Sequence, residues 1–234
     1  MMSFPLGLLA DIIYVITPTY YRSTQIGDLL RLAATLRLVD NIHWIVVEDS
    51  NNISSAVKKL VKDSTVNFTL LNYKTPPSAN RIHRGVHQRN FALKTIRSFK
   101  VSRGVVYFAD DDNTYDKRIF NEMRNTQKVS IWPVGFAGGV DFEGPVVRNK
   151  KIVKWKTGFA RKRKFPTDMA SFAFNVTFLS KSPMPKIPDN AKHGHLETDF
   201  LMQLINSSDE LESKAEDCSK VLVWHTKTMK QKLN

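Results

Sequence analysis

Over its first 125 residues or so the chain alternates short apolar runs with segments whose apolar residues recur at helical spacing. That alternation limits the fold more than any other feature. "IIYVIT" (12–17), "HWIVVED" (43–49), "NFTLLNY" (67–73) and "GVVYFADDD" (104–112) are strand-like runs. Between them Ile26, Leu29, Leu30, Ala33 and Leu36, then Val86, Leu93 and Ile96, mark helical faces. Asp116 is placed to cap a further helix carrying Ile119, Phe120 and Met123. Strand–helix alternation implies a largely parallel sheet with helices on both faces. The expected class is α/β, a mixed and mostly parallel sheet with flanking helices.

The second half is less regular. "VSIWPVGF" and "PVVRNKKIVKW" read as strands, "DMASFAFNVTFL" (168–179) as a core strand and "KVLVWHT" (220–226) as a late strand. Leu196, Phe200, Leu201, Leu204 and Ile205 form one helical face. There are no internal repeats. At 234 residues the chain is expected to be one domain, 1–234, with a subdomain over the sheet's edge instead of a separate second domain.

The net charge of +13 suggests an anionic partner: a nucleotide, a nucleic acid, an acidic polysaccharide or a membrane surface. The basic run from Arg148 to Lys164 reads equally as a solvated face, a nucleic-acid patch or a rim for an anionic sugar. No RNA- or DNA-binding motif accompanies it, so no nucleic-acid partner is expected. The single cysteine, Cys218, excludes an internal disulfide and a cysteine-based zinc site. Asp11 interrupts the apolar N-terminal stretch and no basic segment precedes it, so Ile12–Thr17 reads as a strand and not as a signal or anchor.

In open α/β sheets ligands bind beyond the carboxyl ends of the strands. Those ends present Thr17-Pro18-Thr19-Tyr20, Glu48-Asp49 and Asp110-Asp111-Asp112. Three adjacent carboxylates repel one another, so something positive belongs among them. A hard divalent cation that keeps waters or phosphates in its other positions suits them. Successive strand residues point to opposite faces, so one or two of the three should meet the metal and the others a sugar hydroxyl. An acidic turn capping the following helix is the other reading. Arg84, Arg89 and His225 suggest a diphosphate beside the cation.

"YVITPTY", "HWIVVEDS", "RGVHQRNFAL", "VVYFADDDNTY", "WPVGF", "FEGPVV", "FPTDMASFAF", "HLETDFL" and "VLVWHTKT" occur in that order. With them the chain, from about Ile12 to Thr228, resembles the β-1,3-glucuronyltransferases. The resemblance implies a GT-A fold with a donor-nucleotide half (about 12–125) and an acceptor half (about 126–234). It implies UDP-glucuronate as donor, a galactose-terminated glycan as acceptor, Mn²⁺ as cofactor, a homodimer and a Golgi location. Residue by residue it assigns Pro18, Thr19, Tyr20 and Asp49 to the uridine, and Arg84 and Arg89 to the nucleotide sugar. It assigns Asp110 and Asp111 to donor sugar and ribose, and His225 and Lys227 to the diphosphate. Asp112 matches the metal ligand and Glu197 the catalytic base. Glu143, Arg163 and Asp168 match acceptor contacts. At the start of a helix Glu197 is expected to be held ionised by the helix dipole.

The chain departs from the family pattern in places. Lys227 stands where the family shows Arg, which keeps the charge and loses the bidentate fork. His83 and His87 replace a proline and an acidic residue, and Phe159 stands where some members carry Trp. The family's membrane anchor and longer tail have no counterpart in these residues. The alternative reading is a degenerate member that binds UDP or glycan without turnover.

Overall fold

The computed structural model of the chain describes residues 11–79, 83–159 and 162–229. The first half runs β1 (Ile13–Thr19), α1 (Gln25–Leu36), β2 (Ile42–Glu48), α2 (Ser55–Asp63), β3 (Phe68–Asn72), α3 (Val86–Ser98) and β4 (Val105–Phe108). Then follow β5 (Thr114–Tyr115), α4 (Arg118–Met123), β6 (Val129–Ile131), β7 (Val134–Gly135), β8 (Phe142–Arg148) and β9 (Lys151–Lys156). Last come β10 (Phe172–Asn175), α5 (Leu196–Leu201), β11 (Leu211–Ser213) and β12 (Val223–Trp224).

Seven strands form the main sheet in the order β11-β6-β10-β4-β1-β2-β3. The pairs β1–β2, β1–β4 and β2–β3 are parallel, while β10 lies antiparallel between β4 and β6. The register sets Ile13 opposite Ile42 and Thr19 opposite Glu48, so β1 and β2 end level. Ile16 lies opposite Phe108, which brings the residues after β4 to the same edge.

Both faces of this sheet are covered. Ile13, Val15, Trp44 and Val46 pack with Leu29, Leu32 and Leu36 of α1 and with Val57 and Val61 of α2. The alternate residues Tyr14, Ile16, Ile45 and Val47 pack with Val86, Leu93 and Ile96 of α3 and with Phe200 and Leu201 of α5. Strands buried on both faces read as unbroken apolar runs, which is how β1, β2 and β4 stood out in the sequence. Burying each such side chain contributes about 1.5–3 kcal/mol. The Trp44 indole, inside this core, donates to Thr17 Oγ1 at 2.9 Å, so no polar hydrogen is stranded there. Asn41, left-handed at φ 51°, turns the chain from α1 into β2.

The second half builds a five-stranded sheet, β5-β12-β7-β8-β9, beside the main one. Here the local expectations need correction. The stretch 168–179 is not one strand: the Asp168 side chain caps a 3₁₀ turn at Met169–Ser171, four residues of β10 follow, and a second 3₁₀ turn spans Val176–Ser180. The helix at Leu196 ends at Leu201, and only Val223 and Trp224 of 220–226 are paired. Helix α2, capped by Ser54 Oγ accepting from Val57 N, was not anticipated, although Val57, Leu60 and Val61 lie at helical spacing. Residues Ala215–Cys218 form a left-handed turn, with φ of 54°, 53°, 51° and 61°. Such geometry costs about 1–2 kcal/mol per residue. The turn is tied down by Ala215 N donating to Glu122 Oε2 at 3.1 Å and Cys218 N to Lys214 O at 2.8 Å.

Candidate active site

A cavity of about 550 Å³ opens where β1, β2 and β4 end. Pro18, Thr19, Tyr20, Asp49, Arg84, Arg89, Asp110, Asp111, Asp112, His225 and Lys227 all line it. Every residue that the resemblance assigns to donor or metal is therefore in one place. His225 and Lys227 reach it from the second half of the chain.

The three aspartates have three different environments. Asp110 is bonded to the Arg89 guanidinium. Asp111 is buried and accepts a fork from Arg22, Nη1 at 2.9 Å and Nη2 at 2.8 Å, plus the Thr19 hydroxyl at 2.6 Å. Burial pushes its carboxyl up, while the Arg22 bonds oppose that rise. The Asp112 backbone carbonyl accepts from Thr226 at 2.7 Å and Arg31 at 3.1 Å. Burial, with Asp111 and Asp110 alongside, raises its carboxyl to about 6. Guanidinium groups thus pair with the first two carboxylates, while Asp112 has no ion pair among the described residues. Among the described residues no three His, Cys, Asp or Glu side chains converge to hold an ion. A single protein carboxylate beside a phosphate-sized cavity fits a hard cation that takes its other ligands from substrate and water.

Arg22 was missed in the sequence. Nothing in "PTYYRST" ties it to residues 89 positions away. It also bonds Asp28 Oδ2 at 2.7 Å, and Asp28 is wholly buried. Burial would raise the Asp28 carboxyl, but the Thr228, Thr24 and Arg22 bonds hold it below its usual value. Arg31 and the Thr228 hydroxyl complete this cluster. It fastens the Thr226–Thr228 segment, and with it Lys227, to the first helix.

On the nucleotide side Asp49 accepts from Thr75 N at 2.9 Å and Thr75 Oγ1 at 2.7 Å. Glu48, which sequence position alone sends to the crevice, is buried and accepts from Ser54 N at 2.8 Å. The Tyr20 ring has Arg22 and Arg84 over it at 4.9 and 5.2 Å, and Arg84 Nη1 donates to the Tyr20 hydroxyl at 3.0 Å. Gly85 opens α3 at φ 76°, and a Cβ there would sit 2.6 Å from Arg89 Nη1 and 3.1 Å from Pro18. Gly85→Ala is expected to dislodge Arg89 from Asp110, weaken UDP binding and lower the melting temperature. The backbone strain alone is about 1–2 kcal/mol. Titration with UDP and a melting curve measure both effects; unchanged values would show that the wall tolerates a methyl.

Across the cavity His225 Nδ1 donates to Asp168 Oδ2 at 3.0 Å. That bond lifts the imidazole to about 9, so His225 is a cation at neutral pH. Burial pushes Asp168 up, but the same bond holds it below its usual value. The Tyr107 hydroxyl and the Trp132 indole both donate to Ala170 O, at 3.0 and 2.9 Å, and fix the turn that carries Asp168. Glu143 and Arg163 form a buried ion pair, and Arg163 also donates to Phe159 O at 3.0 Å and Thr167 O at 3.2 Å.

Glu197 lies in the first turn of α5, outside the wall of the nucleotide cavity. Asp168, Arg163 and Glu143 all act on it electrostatically. The expectation of an ionised Glu197 needs correction. Burial first, and the Asp168 charge second, raise its carboxyl to about 8. A six-residue helix does not offset that desolvation.

Two solved structures that share this fold are complexes with nucleotide sugars. The chain aligns with TarS 1–349 of S. aureus in complex with UDP-GlcNAc at TM-score 0.60 and 16% identity, over 94% of this chain and 60% of that one. It aligns with the mannosyltransferase PcManGT of Pyrobaculum calidifontis, in complex with GDP-Man and Mn²⁺, at TM-score 0.50 and 17% identity, over 89% of this chain and 58% of that one. These likenesses show a fold of GT-A type. The family description Glycosyltransferase family 43 matches residues 32–229. Human galactosylgalactosylxylosylprotein 3-beta-glucuronosyltransferase 3 is 43% identical over 94% of this chain and 72% of its own length. The rat enzyme galactosylgalactosylxylosylprotein 3-beta-glucuronosyltransferase 1 is 44% identical over 93% of this chain and 69% of its own length. The chain belongs to glycosyltransferase family 43.

Proposed function

We propose that the chain transfers glucuronate from UDP-glucuronate to the 3-hydroxyl of a terminal galactose, with inversion at the anomeric carbon. The observation that carries this reading is the gathering of every donor-assigned side chain on one cavity wall, in a chain 43% identical to a 3-beta-glucuronosyltransferase. Tyr20 and Asp49 hold the uridine, Asp110 and Asp111 the ribose and sugar hydroxyls, and Arg84, Arg89, His225 and Lys227 the diphosphate. Asp112 is the residue that would hold Mn²⁺, which when bound offsets the charge of the departing diphosphate. Glu143, Arg163 and Asp168 position the acceptor galactose. Glu197 takes the proton of the 3-hydroxyl as that oxygen bonds to C1. The C1–oxygen bond to the diphosphate breaks, and UDP leaves with the electron pair.

The reading carries a Golgi location and a homodimer with it, as the resemblance implies. Among the described residues no helix is long and apolar enough to cross a membrane; residues 1–10 lie outside them.

The test is a panel of galactose-terminated acceptors assayed with UDP-glucuronate, in Mn²⁺ and in chelator. Expected are UDP release that requires both Mn²⁺ and acceptor, and a β1–3 glucuronide by NMR. UDP binding with no transfer to any galactoside would replace this reading with a binding-only member of the family.

A further inference from the structure

A second cavity, of about 480 Å³, lies along a different stripe of α3. Gln88 and Arg89 of this helix reach the nucleotide cavity. His87, Phe91 and Lys94, with Arg97 one turn on, line the second one, and Tyr73, Met184 and Lys186 close it. No acidic side chain lines it, and α3 contains neither Asp nor Glu. Lys94, Arg97 and Lys186 are all exposed. Like charges three residues apart on a helix repel, and an anion between them would relieve that repulsion.

The cavity is built rather than incidental. Both amide atoms of Asn90 clamp the backbone of Ile187, each at 2.8 Å. Gln203 clamps the backbone of Lys186 in the same manner, at 2.9 and 3.1 Å. These four bonds set the Lys186 ammonium opposite α3. The floor is aromatic: the Tyr73 and His87 rings lie 9° from parallel at 6.2 Å, and Phe91 stands 5.2 Å from Tyr73. The volume lies within the range of about 300–1,000 Å³ usual for small-ligand sites.

We infer that this cavity binds an anionic carbohydrate segment, one whose pyranose rings carry sulfate or carboxylate groups. Flat aromatic faces receive the C–H face of a sugar ring, and the three cations pair with its acidic substituents. A simple inorganic anion would leave the aromatic floor unused, and a nucleic-acid strand needs a continuous basic track that three cations around one cavity do not supply. The site is distinct from the nucleotide crevice, although Gln88 joins the two walls by donating to Tyr73 O at 2.8 Å and to Thr75 Oγ1 at 3.0 Å. The inference concerns binding alone and stands whether or not the chain transfers glucuronate.

The test is calorimetric titration of the whole chain with a sulfated uronate tetrasaccharide prepared from heparin, with and without saturating UDP. Inorganic sulfate, an uncharged tetraglucoside and an oligouridylate of equal charge are the comparators. One-to-one binding that UDP does not displace is expected, with Kd raised about tenfold or more in the Lys94→Ala/Arg97→Ala/Lys186→Ala variant. The variant should keep its melting temperature and its affinity for UDP, since the three side chains are exposed. Tyr73→Ala should weaken the tetrasaccharide while leaving sulfate unchanged. The inference is overturned if the triple variant binds as the parent does, if UDP competes, or if sulfate or oligouridylate binds as tightly as the tetrasaccharide.

Discussion

Glu197→Gln is expected to lower kcat by about 10²–10⁴-fold, the usual contribution of a positioned general base, while leaving UDP affinity within about twofold of the parent, where the titration scale is tenfold per 1.4 kcal/mol. The amide keeps the size of the side chain and removes its proton-accepting charge. Because the parent carboxyl is raised to about 8 by burial and by Asp168, the active ionised form is scarce at pH 6 and dominant at pH 9. The parent kcat/KM should therefore climb with pH and level off above about 8, and the residual rate of the variant should not follow that curve. Stability moves the opposite way. A carboxyl whose folded value lies above its unfolded value loses stability as pH rises between the two. Glu197→Gln should thus melt higher than the parent at alkaline pH and alike at acid pH. A variant with parental turnover across the pH range would remove Glu197 from the chemistry.

Asp112→Asn is expected to abolish the dependence of UDP affinity on Mn²⁺ and to lower turnover by roughly a thousandfold or more. A bound metal is worth several kcal/mol of transition-state charge stabilisation, and each 1.36 kcal/mol is tenfold in rate. The raised carboxyl makes a second outcome readable. Ionising Asp112 beside Asp111 and Asp110 costs the metal-free protein stability as pH rises toward about 6 and above it. Without metal the variant should melt higher than the parent at pH 7.5; with Mn²⁺ the parent should overtake it. Below about pH 6 the proton competes for the same oxygen, and Mn²⁺ should raise the parent melting temperature less. Calorimetric melts at two pH values, each with and without Mn²⁺, measure all of this. Equal Mn²⁺ responses in parent and variant would place the cation elsewhere.

Three of the parallel strands were legible because burial on both faces leaves no polar register in Ile13–Thr19, Ile42–Glu48 or Val105–Phe108. Their level ends made the crevice legible too. The second half was read less well, because its strands are short and its turns are stabilised by side chains. Asp168 capping Met169–Ser171 interrupts what apolar content alone describes as a strand. The charge partners of the aspartates were beyond the sequence for another reason. A repelling triplet announces that cations are needed, but Arg22 and Arg89 reach it across 89 and 21 positions. The pairing is a property of the folded sheet edge. The protonation of Glu197 was likewise misread, since local helix position says nothing of how much water the tertiary fold removes.

The cluster of Asp28, Arg31 and Thr228 bears on when such an enzyme becomes competent. Asp28 is bonded to a hydroxyl 200 positions later, and the intervening strands must already be in place for the two to meet. The strands thus precede in the chain the segment that brings His225 and Lys227 to the cavity, and that wall is complete only once Thr226–Thr228 is fastened to the first helix.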